Sequence, residues 1–264
     1  MYKFLAFVTQ GFRIASSYKI NFVNRYLSVV FMLLLYYFMD RLVAQNGVSQ
    51  VGGGSYFTFL LVGGIFAQFL NLTVRAFSVN IREELLAGTI EPLLVTATPT
   101  VWALLGPASW GLLEGLVMIG VQLGLGAWAG ADFSRANWAG AALVMLFSLS
   151  SLLSYGLFSA GFIIVYKRSD PINQLVQAAV HVFSGVFFPV ATLPPWLRTV
   201  SYALPFTYSI EGLRGALIRG EGLAALLPQI GALALFTVLL VPLGLGTLAY
   251  AIRHMKRTGS LSHY

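Results

Sequence analysis

Residues 56–100 read YFTFLLVGGIFAQFLNLTVRAFSVNIREELLAGTIEPLLVTATPT. From Tyr56 to Val79 the stretch is apolar for long enough to cross a hydrocarbon core, which takes about 20 residues of helix. Its second part is the opposite, gathering Arg82, Glu83, Glu84 and Glu91 before Pro92 and Pro99. The chain of 264 residues is 58% hydrophobic and 9% charged, and three of its nine carboxylates fall in this one link. A second apolar run opens at Val101. An apolar run, a charged link and another apolar run describe two membrane spans joined outside the lipid.

The rest of the chain repeats the pattern. A soluble domain carries about a quarter charged residues; at 9% charge and a mean hydropathy of +0.80, this chain has too much apolar surface for a water-soluble core. Six spans are expected, at Phe22–Met39, Tyr56–Val79, Val101–Ala127, Trp138–Tyr166, Ile172–Phe188 and Ala224–Ile252. The fold class is an all-α integral membrane protein forming a single transmembrane domain over 1–264. The chain has no cysteine, so it offers neither a disulfide framework nor a thiol metal site. No catalytic constellation and no metal site is expected. The net charge of +7 is assigned to basic residues flanking spans and facing anionic membrane lipid, not to nucleic acid.

Six spans put both termini on one side. Ten basic residues (Lys3, Arg13, Lys19, Arg25, Arg82, Lys167, Arg168, Arg253, Lys256 and Arg257) lie on that side, against Arg41, Arg135, Arg198, Arg214 and Arg219 on the other. Because positive loops stay inside, both termini and the 80–100 loop are expected in the cytoplasm. Residues 1–20 put Phe4, Leu5, Phe7, Val8 and Phe12 on one helical face and Lys3, Gln10 and Arg13 on the other, the pattern of an amphipathic helix lying on the membrane surface. Residues 189–223 are too proline-broken to span and too apolar for a free loop; Trp196, Tyr202, Phe206, Tyr208, Leu213 and Leu217 suggest short helices at the outer interface. Glu211 and Arg214 stand at ion-pair spacing there.

The 80–100 loop reads as a short amphipathic helix broken at Gly88, with Thr89 capping a second short helix and Pro92 in its first turn. Leu85, Leu86 and Leu94 supply apolar knobs, and Glu83, Glu84 and Glu91 supply charge. Carboxylates suit an anionic leaflet poorly, so the loop reads as a docking surface for a protein, against the plainer reading of a surface connector.

At this point "REELLAGTIEPLLVTATP" resembles the segment between the second and third spans of bacterial ABC type-2 permeases, of the form R-x-x-G-T-x-E-x-L-L-x-T-P. Arg82, Gly88, Thr89, Glu91, Leu93, Leu94 and Thr96 match in kind, while Ala97 and Thr98 delay the proline to Pro99. "SGVFFPVATLPPWLRTVSYALPFTYSIEGLRGAL" resembles the same family's signature around the fifth span, through Ser184, Gly185, Phe188, Pro189, Leu193, Pro194, Pro205, Tyr208 and Arg214. The resemblance implies a half-transporter in the bacterial plasma membrane. Two permease subunits, a homodimer by default, would pair above two copies of a cytoplasmic ABC ATPase that binds ATP and Mg. It implies that Arg82, Glu83, Glu84, Leu85, Gly88, Thr89, Glu91 and Leu94 form the coupling helix and that 1–20 is a connecting helix. It also implies a drug-, lipid- or glycan-like substrate that is exported. The chain has no GxxxxGK[ST] phosphate loop and binds no cofactor of its own in this reading.

Polar groups within spans are costly and mark function or packing. Gln68, Asn71, Arg75 and Ser78 share one face of the second span, and Gln174, Gln177, His181 and Ser184 share one face of the fifth. They either line a substrate path or bond neighbouring helices. Phe187, Phe188 and Pro189 are candidates for an outer gate, or for simple packing. Glu114 is the one carboxylate well within a span; it is either protonated or paired with an arginine, Arg75 being one candidate. The alternative function is an ATPase-independent secondary transporter using Glu114 and His181. Gly111 with Gly115, and Gly120 with Gly124, form small-residue pairs that let another helix approach.

Overall fold

The computed structural model describes residues 9, 13, 19–47, 50–86, 108–166 and 170–258. Their helices are α1 (Lys19–Gln45), α2 (Tyr56–Leu86), α3 (Ala108–Trp128), α4 (Trp138–Tyr166), α5 (Asp170–Phe183), α6 (Pro195–Tyr202), α7 (Pro205–Leu217) and α8 (Leu223–Thr258), with a 3-10 turn at Val190–Thr192. The described residues hold no strand, only an isolated bridge between Val51 and Gly54. Helices α1, α2, α3, α4 and α8 are long and apolar enough to cross a membrane. The fourth expected span coincides with α4 at both ends.

Helix α2 is the axis of the bundle. It packs against α1, α3, α4, α5 and α7, and Leu60, Phe66 and Leu70 on it are fully enclosed. The outer helices instead turn large apolar side chains outward, among them Phe31, Phe38, Val117, Leu146 and Leu235. That inversion suits lipid as solvent. The start of α2 is set locally: Ser55 accepts from the Thr58 backbone N–H at 3.2 Å, as an N-cap does, and Asp40 at the end of α1 accepts from Phe57 N–H at 2.8 Å. With no proline or glycine between Asn71 and Leu86 to stop it, α2 runs past the expected end at Val79 and through Arg82, Glu83 and Glu84.

Helices α4 and α8 make the closest pair. A Cβ on Gly244 would lie 2.6 Å from the Ser154 carbonyl, and one on Gly161 would lie 3.0 Å from the Thr247 backbone; small residues at these points let the two backbones meet. Hydroxyl bonds cross the bundle from Ser150 to Thr237 and from Ser148 to Ser209, both at 2.8 Å. Of the glycine pairs on α3, Gly115 admits Phe69 of α2, whereas Gly120 and Gly124 have nothing of this chain within 4 Å of a built Cβ.

Two expectations change. The fifth span is expected to reach Phe188, but α5 stops at Phe183 after 14 residues, about 21 Å of helix against a core of about 30 Å. Ser184 to Pro189 continue as irregular backbone, with Gly185 at φ +76, a conformation in which a Cβ would be strained. The 189–223 segment is also split in character. Helix α6 exposes Trp196 and Tyr202 as an interfacial helix does, but in α7 Phe206, Leu213 and Leu217 are core residues against α4, α8 and α2. The amphipathic stretch at 1–20 lies outside the described residues except for Thr9 and Arg13, both exposed and helical, and the first turn of α1.

Candidate functional site

Breaking a helix inside a bundle leaves carbonyls without the amide partners that the next turn would have supplied. In lipid each such group costs several kcal/mol, so the break after α5 needs donors from elsewhere. Arg214, buried on α7, supplies them. Its Nη1 donates to the Gly185 carbonyl at 2.6 Å, and its Nη2 donates to Val186 at 2.9 Å and to Phe59 of α2 at 3.0 Å. The guanidinium lies over the Phe59 ring, 3.3 Å from its centroid, a cation–π stack that a planar fork makes well. Gly63 makes the room, since a Cβ there would stand 2.6 Å from Nη2 and 2.7 Å from the Val186 carbonyl. The next carbonyl, that of Phe187, accepts from Tyr56 O–H at 3.0 Å. Further along, Arg198 donates to Ala191 and Leu193 at 2.5 and 3.2 Å. Two arginines and a tyrosine thus hold the whole irregular segment, and two of the three bind it to α7 and to the first turn of α2.

The expected ion pair between Glu211 and Arg214 is therefore replaced. Arg214 turns inward to the carbonyls, and the Glu211 side chain is exposed. The neighbouring pair Arg219–Glu221, at 2.5 Å, is a salt bridge instead. Glu114 also has a different partner from the candidate Arg75: it pairs with Arg25 of α1. A paired carboxylate has its charge compensated, which weakens the case for Glu114 as a free proton carrier.

The polar stripes separate. On α2, Gln68 accepts a hydrogen bond from Gln122 Nε2 of α3, and Asn71 donates to its own helix at the Ala67 carbonyl, 3.0 Å away. Both point to packing within the chain. On α5, Gln174 is exposed and Gln177 half-buried. His181 places Nδ1 2.7 Å from the Gln177 carbonyl and stacks on Phe187 at 5.6 Å between centroids. Ser184 is buried, and its Oγ has no partner among the described residues. The structure thus brings His181, Ser184 and Phe187 to the Tyr56–Phe59–Arg214 cluster, with Phe188 and Pro189 half-buried beside them, and leaves Gln68 facing α3. Gly88, Thr89, Glu91 and Leu94 lie outside the described residues, as do the side chains of Arg75, Ser78, Arg82, Glu83, Glu84 and Leu85. Sequence reading missed Tyr56, Phe59, Gln122 and the role of Arg25. Gln122 had a signal, as an amide in an otherwise apolar span; Tyr56 and Phe59 are ordinary aromatics at a span end and had none.

Comparison with known proteins places this membrane bundle in a family. A family profile described as ABC-2 type transporter matches residues 4–218. The chain belongs to that family. Among relatives of this ABC-2 chain, the inner membrane transport permease YadH of Escherichia coli K12 is 25% identical over 215 residues, covering 80% of this chain and 81% of the relative. Nodulation protein J of Neorhizobium galegae is 25% identical over 201 residues, 73% of each chain. Nodulation protein J of Sinorhizobium fredii is 26% identical over 210 residues, 76% of each. This ABC-2 chain is accordingly a multi-pass membrane protein and a transport permease component, a family role that is not itself catalytic.

Proposed function

We propose that this permease exports a drug-, lipid- or glycan-like amphiphile across a bacterial plasma membrane, as one of two paired permease subunits driven by two copies of a separate cytoplasmic ABC ATPase. The ATPase would bind ATP and Mg and dock on the loop around Arg82, Glu83, Glu84, Leu85, Gly88, Thr89, Glu91 and Leu94. The observation that carries this reading is the length of α2. Its 31 residues extend about 46 Å at 1.5 Å each, so about 20 residues after Tyr56 the helix reaches the far edge of the hydrocarbon near Arg75. The remaining turns carry Arg82 to Leu86 beyond the lipid.

The other end of the same helix is tied to the break after α5 through Tyr56 and Phe59. In this reading α2 is a rod: a push on the 81–100 loop moves the Phe187 and Val186 carbonyls at the opposite side of the membrane. Phe187, Phe188 and Pro189 then act as the outer gate. The α5 stripe of exposed Gln174 and half-buried Gln177 offers amides to a polar part of the substrate. The termini lie in the cytoplasm.

The test is co-purification with the ATPase encoded beside this chain and ATP hydrolysis in lipid. Wild type is expected to hold the ATPase and stimulate its turnover, and Glu91→Arg and Gly88→Pro are expected to lose one or both. Failure of any ATPase to co-purify, with charge reversal having no effect, would overturn the reading.

A further inference from the structure

Helices α3 and α4 are joined by a short loop, yet each packs against α2 and they diverge from one another. The space between them is a cavity of about 200 Å³. Its floor is Ile65 and Phe66 of α2 with Leu213 of α7, all buried. Its walls are Ile119 and Leu123 on α3, facing Ala142 and Met145 on α4. At its mouth stands Trp138, half-exposed, at the end of the bundle where the 129–137 loop leaves the helices.

We propose that this cavity is a lipid site that takes one acyl chain of a bilayer phospholipid. Apart from the indole N–H of Trp138 at the mouth, the lining side chains are apolar, so a water there would lack the two to four polar partners that hold buried water. Apolar cavities of about 150 Å³ stay dry and take a hydrocarbon as large as benzene; this one is larger. The cavity opens on the outer surface of the chain, because two of its lining residues, Ala142 and Trp138, are exposed. Leu116 on α3, one turn from Ile119, and Leu146 on α4, next to Met145, are both exposed. In a membrane chain the molecule at that rim is a lipid tail. Trp138 fixes the direction of entry, because an indole at the end of a span sits at headgroup depth. A tail entering beside it would leave its headgroup in the interface and thread its methylenes toward Phe66. The occupant separates α3 from α4 and rests against Leu213, one residue from Arg214.

Photolabelling tests the assignment directly. The purified full chain would be reconstituted in phosphatidylethanolamine vesicles containing a trace of the same lipid with a diazirine in its acyl chain, irradiated, and mapped by peptide mass spectrometry. Adducts are expected at Ile65, Phe66 and Met145 as well as at Val117 and Leu235, which face bulk lipid. Ala142→Phe, a change at an exposed wall position, is expected to close the mouth and abolish the Ile65 and Phe66 adducts while those at Val117 and Leu235 persist. Retention of the two outer adducts certifies that the variant is folded in the membrane. Should Ala142→Phe fail to fold, Met145→Phe closes the same mouth. Wild type labelled only at Val117 and Leu235, or deep adducts undiminished in the closed variants, would overturn the proposal.

Discussion

Without the guanidinium of Arg214, the carbonyls of Gly185 and Val186 would be stranded inside the bundle, where neither water nor a helical amide reaches them. Each unsatisfied buried acceptor costs about 1–3 kcal/mol, and the stack on Phe59 is lost as well. Arg214→Met is therefore expected to lower the thermal transition of the detergent-solubilised protein sharply. Arg214→Lys is expected to recover only a small part, because an ammonium is a point donor and cannot serve three carbonyls and a ring face at once. A melt by tryptophan fluorescence on both variants measures this. If lysine restores the wild-type transition, charge alone holds the break and the fork geometry is irrelevant. Gly63→Ala tests the same contact from the other side, since its Cβ would press on Nη2 and on the Val186 carbonyl. It too is expected to destabilise, although alanine is the better helix former by about 1 kcal/mol.

At the level of elements, lipid makes some features legible and hides others. Long apolar runs are readable because a span must satisfy its backbone internally over about 20 residues; α4 lies where hydropathy puts it, and α8 starts one residue before the expected Ala224 and runs on past Ile252 to Thr258. The end of α5 is not readable, because Ser184 to Pro189 is as apolar as the helix before it, and a hydropathy scale does not see one glycine at positive φ. Helix α7 is misplaced by sequence for the converse reason: Glu211, Arg214 and the prolines Pro194, Pro195 and Pro205 read as surface, while the partners that bury Arg214 are backbone carbonyls with no sequence signature. The candidate site divides the same way. His181, Ser184 and Phe187 are legible as polar or punctuating residues in a span, and Tyr56 and Phe59 are not. The partner of Glu114 is likewise hidden, since Arg25 on α1 counts in the sequence only as a flanking charge. That pair links α1 to α3, although α1 otherwise rests mainly on α2. A double-mutant cycle should expose it: Arg25→Ala and Glu114→Gln each destabilise, and the double variant loses less than their sum, with a coupling on the order of 0.5–3 kcal/mol. Strict additivity would mean that the two charges do not depend on each other.

At the scale of the whole molecule, the surface of a single chain is inconsistent with lipid on every side. Helix α8 shows lipid Leu235, Val238, Leu239 and Leu243, as a helix facing hydrocarbon should. Helix α5 exposes Gln174 beside Leu175 and Val182, and a primary amide facing acyl chains is expensive. The proposed pairing of two permeases resolves the conflict, because a second copy would cover α5 and turn its amides toward a shared, wet path. The absence of cysteine makes this easy to measure, since a single introduced thiol reports on one position. In membranes under mild oxidation, Gln174→Cys is expected to form a disulfide-linked dimer, and Leu235→Cys, also exposed but on the face read as lipid-facing, is expected to stay monomeric. Equal cross-linking at both positions would indicate random collision. Cross-linking at Leu235 alone would put the contact on α8 and leave the α5 amides facing lipid, which would remove the reason for reading them as part of a path.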